Sequence, residues 1–494
     1  MGLIKTSLDK DLEKFVHVQA ATRSLSHDMV AHGLAVLFLG ASAAFAGIYA
    51  GVAENAAIVV FAAVLGGYMA LNIGANDVAN NVGPAVGSQA MTLLVALLIA
   101  AVFESAGALI AGGDVVSTIS KGIIDPAQVT DTGTFISAMM AALVAAAVWV
   151  NLATVVGAPV STTHSVVGGV LGAGVASVGF GLVNWATMGK IAASWVISPV
   201  MGGVIAALFL AFIKINVIYQ EDKIAAARRW VPLLIAVMAG AFACYLSIKG
   251  LKRVWKADAA IVMAIGLVTF ALVWTAMHPL IRRQSEGLEN RNRSLRVLFR
   301  FPLICSAALL SFAHGANDVA NAIGPLAAIL HAVQSGDVAA KASIPPWIMV
   351  IGAFGISIGL FLYGPKLVRM VGEKITKMNP MRAYCVALSA AITVIIASWL
   401  GLPVSSTHIA IGAVFGVGFF REFYTRHSRR RRSMLAQHGS GKSRIEIEAA
   451  PEEIRHRKLV RRSHFLTILA AWVVTVPASA FLAIVVFHGL TWLR

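Results

Sequence analysis

Apolar stretches of about twenty residues, nearly free of charge, recur along this whole chain, and each is long enough to cross a bilayer as a helix. Thirteen can be read. They lie near 33–50; 56–73, 90–112, 135–156, 159–178 and 190–213; 231–248 and 259–281; and 301–330, 346–364, 383–400, 403–420 and 465–490. Only 13% of the 494 residues are charged, 58% are hydrophobic, and the mean hydropathy is +0.79. Soluble domains carry about a quarter charged residues, so an ordinary globular enzyme is excluded. The expected fold is an all-α polytopic membrane protein with about 11–13 transmembrane segments. Residues 1–30 set Lys5, Lys10, Lys14 and Arg23 against Asp9, Asp11, Glu13 and Asp28; they show no cleavable-signal pattern and read as a cytosolic tail.

The net charge of +17 sits in the loops between apolar segments, as the positive-inside rule places it, and that distribution argues for topology rather than nucleic-acid binding. Cys244, Cys305 and Cys385 are isolated, without metal-ligand or redox spacing.

The chain is written twice. GANDVANNVGP begins at Gly74 and GANDVANAIGP at Gly315; PVSTTHSVVGGVLGAG begins at Pro159 and PVSSTHIAIGAVFGVG at Pro403. Two motifs in the same order at nearly the same offset define two homologous halves. Residues 1–30 form the tail, 31–55 an additional span, and 56–213 the first repeat. Residues 214–300 form a linker with two helices and basic cytosolic loops, and 301–420 the second repeat. A basic cytosolic loop at 421–464 and a last helix of the second repeat at 465–494 complete the chain. Seven crossings then separate equivalent points, an odd number, so the halves are expected in opposite orientations. The basic loops 214–230, 282–300 and 421–464 all fall on the face of the N-terminal tail, which is therefore cytoplasmic. Lys249, Lys252, Arg253 and Lys256 dissent, falling on the outer side.

In each GANDVAN motif two Asn flank an Asp on neighbouring helix positions: Asn76, Asp77 and Asn80, then Asn317, Asp318 and Asn321. An ionised Asp at the bilayer centre costs roughly 2.5–3.5 kcal/mol, so such a residue faces a polar cavity or a partner. Carboxylate and amide oxygens are hard donors that suit a small hard cation. Gly83-Pro84 and Gly324-Pro325 are expected to break each helix and free carbonyls. The alternative is that the Asn and Asp residues only cross-link helices.

Pro159 and Pro403 suit a first helical turn. Ser161, Thr162 and Thr163, with Ser405, Ser406 and Thr407, then offer hydroxyls beside unpaired backbone N–H groups, an arrangement that binds anions; simple capping or helix packing is the plainer reading. The motif segments hold no Arg or Lys to neutralise an anion, and Asp77, Asp318 and the intramembrane Glu104 repel one. Cations on the carboxylates resolve the conflict and make coupling an electrostatic requirement; protonation does the same, leaving Na+ and H+ both open. His164 and His408 follow the hydroxyl clusters as proton or phosphate contacts, or as hydrogen-bonded core histidines. Glu104, aligned with Gly355, is a further ion ligand, a gating element or a helix cross-link. His314, aligned with Ile73, carries little weight by the repeat logic.

These motifs resemble the inorganic phosphate transporter (Pit) family, most closely its sodium/phosphate symporter branch. GANDVANNVGPAVGS, FESAG, SKGIID, SFAHGANDVANAIGPL and VIIASWLGLPVSSTH carry the resemblance over roughly residues 56–420 and again over 465–490. It implies an inverted-repeat, usually dimeric transporter moving phosphate with sodium or protons, with Asp77, Asn80, Asp318 and Asn321 on the ion side and the Ser/Thr clusters around phosphate. Where animal members of the family have Glu, this chain has Phe135 and Ala387, so ion number does not carry over. The functional expectation is secondary active import of inorganic phosphate by cation symport. It needs no cofactor and places the protein in the cytoplasmic (inner) membrane of a prokaryote, as a homodimer in the lipid bilayer. The alternatives are another oxyanion, such as sulfate, on the same fold, and a passive anion pore, which Arg or Lys would line. A membrane enzyme lacks its nucleophile–base constellation, and an ATP-driven pump its GxxxxGK[ST] loop.

Overall fold

The computed structural model describes residues 7–50, 55–124, 129, 131–156, 160–250, 257–336, 344–370, 378–428 and 462–492. Hydrocarbon offers no hydrogen bonds to the backbone, so an apolar chain of this length satisfies its peptide groups internally as helices. In order these are α1 (Ser7–Ala50), α2 (Ala56–Gly87), α3 (Leu93–Ala111), α4 (Gly113–Lys121), α5 (Thr132–Val156) and α6 (Thr162–Val178). There follow α7 (Trp185–Ile213), α8 (Lys223–Lys249), α9 (Ala259–Gln284), α10 (Asn292–Leu298) and α11 (Arg300–Ser335). The last are α12 (Pro346–Leu362), α13 (Gly364–Met370), α14 (Pro380–Trp399), α15 (Ser406–His427) and α16 (Arg462–Trp492). Among the described residues there is no β-strand, only an isolated bridge between Ile124 and Val183.

Every one of the thirteen apolar stretches falls on a helix. Among the described residues ten helices are long and apolar enough to span a bilayer, while α6 and α12 are shorter apolar helices. The thirteenth, α15, carries Arg421, Glu422 and Arg426 in its last turns. The chain is thus a multi-pass helical membrane protein. Its centre is α11, whose most apolar window is 89% buried, and its periphery is α9, at 6%.

Three local expectations change. The helix entering the first span begins at Ser7, so the apolar part Met29–Ala50 is the second half of a 44-residue helix. Gly83-Pro84 and Gly324-Pro325 lie inside continuous helices. A proline removes one N–H and crowds the carbonyl four residues back, here that of Asn80 and of Asn321, and packed membrane helices tolerate the defect. Nor does Pro403 start α15: Ser405 caps it, and the helix begins at Ser406. Pro159 lies outside the described residues; α6 begins at Thr162 with Ser161 as its cap.

The halves interlock. Helix α2 packs on α12 and α11 on α3, so each GANDVAN helix lies against a helix of the other half. Glycine makes both contacts: a Cβ on Gly74 would overlap the Ile356 carbonyl, and one on Gly315 the Glu104 carbonyl. Small residues at a helix crossing let the two backbones touch. Lys249 now has a partner, since it forms a salt bridge with Asp114 at the start of α4; Lys252, Arg253 and Lys256 lie outside the described residues.

Candidate functional site

Helices α6 and α15 start side by side at the molecule's centre. The Ser161 side chain accepts from the His164 backbone N–H at 3.1 Å and Ser405 from that of His408 at 3.3 Å, each satisfying a donor that a helix start leaves open. Thr163 donates across to the Val404 carbonyl (2.9 Å), and the His164 and His408 rings meet edge to face with centroids 4.4 Å apart. Both N-terminal turns, with positive dipole ends, therefore converge on one place.

The two acidic triplets meet them there, each reaching into the other half. Asn80 donates to Thr407 (2.8 Å), while Asn321 donates to Thr163 (3.1 Å) and, more weakly, to Thr162 (3.4 Å). Asp77 collects hydroxyls from both halves: Thr162 donates to its Oδ2 (2.9 Å) and Thr407 to its Oδ1 (3.0 Å). Ser406 donates to Asp318 Oδ2 at 3.2 Å. Apart from Asn80, which is partly exposed, these side chains are buried.

Sequence reasoning gave His314 little weight, yet the residue sits at the hub. Its Nε2 lies 2.9 Å from Asp318 Oδ2 and 3.8 Å from Asp77 Oδ2, and its Nδ1 lies 3.4 Å from Glu104 Oε1. Asn81, which the sequence reading passed over, donates to the same Glu104 oxygen at 2.7 Å. Asn81, Glu104 and His314 align with Ala322, Gly355 and Ile73, so three polar residues without counterparts in the other half form one chain ending on the paired aspartates. A signal was available: His314 stands four residues before Asp318, on the same helix face.

The amide N–H groups of the other two sequence-predicted ligands are used on other partners. Asn76 donates to Thr154 on α5 (2.9 Å). Asn317 donates to Ser398 (2.9 Å) and accepts from the Val404 N–H (3.2 Å), pinning the extended segment ahead of α15. Glu104 Oε2, Asp318 Oδ1, Asn81 Oδ1 and Asn321 Oδ1 are buried, with no hydrogen-bond donor among the described residues. Buried oxygens of this kind need a donor or a cation. Asp77, His314 and Asp318 each offer one ligand atom within 4.8 Å of the others.

A multi-pass helical bundle closed around buried carboxylates, amides and hydroxyls drawn from two halves is built as a membrane transporter of small ions. The chain belongs to the phosphate transporter family, whose profile matches residues 73–483, and that is a family of transporters, not of enzymes. It is 45% identical to a "Putative phosphate permease" of Helicobacter pylori over 97% of this chain and 98% of that one. A Haemophilus influenzae protein of the same name is 33% identical, over 88% and 96% of the two chains. The fold matches a solved structure titled "The sodium-dependent phosphate transporter", with a TM-score of 0.76 and 33% identity, covering 89% of this chain and all of that one.

Proposed function

We propose that this protein imports inorganic phosphate by symport with sodium, through alternating access between two inverted repeats in a cytoplasmic membrane, with its N-terminus inside and as a homodimer. The observation that carries the coupling is the destination of three hydroxyl protons. Thr162, Thr407 and Ser406 each have one, and each donates it to Asp77 or Asp318. A hydroxyl that donates to a carboxylate cannot donate to phosphate.

Sodium on the aspartates replaces those donors. The hydroxyls are released to the anion, and the repulsion between the carboxylates and phosphate is removed in the same step. Phosphate is then held by Ser161, Thr162, Thr163, Ser405, Ser406 and Thr407 with the first N–H groups of α6 and α15. Sodium takes oxygens of Asp77, Asp318, Asn80 and Asn321, with Glu104 facing it through His314; Asn76 and Asn317 position the helices. His164 and His408 back the two N-terminal turns. Sodium is chosen over protons because the similar solved protein is described as sodium-dependent.

The test is uptake of radiolabelled phosphate into proteoliposomes under an inward sodium gradient, an inward proton gradient, or neither, with unlabelled sulfate as competitor. Accumulation under sodium alone, unaffected by sulfate, is the expected outcome. Accumulation under protons alone reassigns the carboxylates as proton carriers; competition by sulfate broadens the substrate; equilibration without accumulation favours a pore.

A further inference from the structure

One side chain of α7 touches the starts of both α6 and α15. Helix α7 follows α6 in the chain, yet it packs along α14 and α15 of the other half. Glycine makes that packing close: a Cβ on Gly412 would overlap the Pro199 carbonyl, and one on Gly416 the Gly203 carbonyl. With its backbone against α15, α7 carries Trp195 beside the central cluster. The indole Nε1–H donates to the Pro403 carbonyl at 3.2 Å, in the segment just ahead of α15. The same ring packs on the His164 imidazole of α6, with centroids 3.9 Å apart and planes at 40°.

Either contact alone has a plain explanation. A buried indole N–H takes an acceptor, and a carbonyl outside a helix at membrane depth needs a donor. Their combination does not follow from burial, because Trp195 is only half-buried and the two contacts fall on different halves of the protein. His164 in turn meets the His408 ring edge to face at 4.4 Å, and its neighbour Thr163 donates to the Val404 carbonyl at 2.9 Å. Trp195, His164 and His408 thus form one stack of rings behind the two N-terminal turns, and the indole N–H ties the stack to Pro403.

We propose that Trp195 is a positioning residue for the anion site: it fixes the spacing of the α6 and α15 starts, and with it the N–H groups and hydroxyls that phosphate meets. This rests on the reading above in which phosphate lies between those two starts. Because glycines set α7 directly on α15, the Pro403 bond lies within one packed body, whereas the His164 contact bridges to α6. A phosphate ion held from both sides needs the two starts at one separation. Sodium on Asp77 and Asp318 draws its carboxylates from α2 and α11 instead, so it depends less on that spacing.

Initial uptake of radiolabelled phosphate into proteoliposomes is measured for Trp195→Phe and Trp195→Leu, varying phosphate at saturating sodium and then sodium at saturating phosphate. Phenylalanine keeps a ring face and loses the N–H; leucine loses both. The phosphate KM should rise about threefold with Trp195→Phe, the size of one neutral hydrogen bond, and roughly tenfold with Trp195→Leu. The sodium KM and the melting temperature should stay near those of the parent. A second measurement does not depend on transport. Spin labels are placed at Val178→Cys and Phe419→Cys, exposed positions on α6 and α15, in the full chain without Cys244, Cys305 and Cys385. The distance distribution between them should broaden with Trp195→Leu, and less with Trp195→Phe. A distribution that Trp195→Leu leaves unchanged, a phosphate KM that does not move, or a sodium KM and melting temperature that shift together with it, overturns the proposal. Parent vesicles that accumulate no phosphate under sodium overturn the functional reading instead, and the spin-label distances then still decide whether Trp195 sets the spacing.

Discussion

Thr162 and Thr407 come from different halves of the chain, yet both hydroxyl protons end on Asp77. Asp77→Asn keeps the shape but removes the charge that a cation neutralises. It should abolish sodium-driven accumulation while leaving folded protein in the membrane; wild-type uptake by this variant would remove Asp77 from the ion site. Thr407→Val keeps the volume and removes one donor to the anion. A hydrogen bond to a charged group is worth about 1.5–3 kcal/mol, so the phosphate KM should rise roughly tenfold or more. Uptake kinetics at saturating sodium measure it. The sequence revealed Asp77 and Asp318 because charge in an apolar run is conspicuous and here occurs in matched copies. The same logic of matching hid His314, whose counterpart is Ile73. Helical spacing fixes a face but not what stands opposite it, and the amide N–H groups of Asn76 and Asn317 stand opposite Thr154 and Ser398. His314→Ala leaves Asp77, Glu104 and Asp318 facing one another without the ring between them. It should destabilise the protein by about 1–3 kcal/mol, the cost of an unsatisfied buried polar group, read as a drop in melting temperature that added sodium partly restores.

The helices themselves were legible wherever lipid dictates composition, and each apolar stretch became one. Their ends and breaks were less so. Proline looked like punctuation at four places, but Pro84 and Pro325 lie within helices, and α15 starts on a serine cap instead of on Pro403. A cap satisfies a backbone donor, whereas a proline only omits one, so the serine decides where the helix begins. The crossing of the two halves was invisible, since nothing in a single sequence pairs α11 with α3. The glycines that allow it are now explicit. Gly315→Ala puts a methyl group into the Glu104 carbonyl and must push α3 away from α11, carrying Glu104 with it. The variant should lose activity and folded yield together, in contrast to Asp77→Asn, which should lose activity alone; size-exclusion profiles beside uptake assays separate the two.

At the scale of the whole molecule the question is how the halves lie in the bilayer. Crossing parity puts the ends of α7, α9 and α15 on one face, together with the start of α14. Lys214 after α7, Arg296 of α10, Arg382 at the start of α14 and Arg421 near the end of α15 line one cavity, so these four lie at one end of the bundle. The same parity puts the C-terminal ends of the two GANDVAN helices on opposite faces, with α2 ending inside and α11 outside. Gln89, just past α2, and Gln334, near the end of α11, are both exposed. In a chain lacking Cys244, Cys305 and Cys385, a membrane-impermeant thiol reagent added to intact cells should label Gln334→Cys and spare Gln89→Cys until the membrane is opened. Labelling of both from the same side would make the repeats parallel. It would also put the basic loop after α15 outside and remove the symmetry on which alternating access rests, since two inverted halves can exchange conformations and so open one buried site to either face.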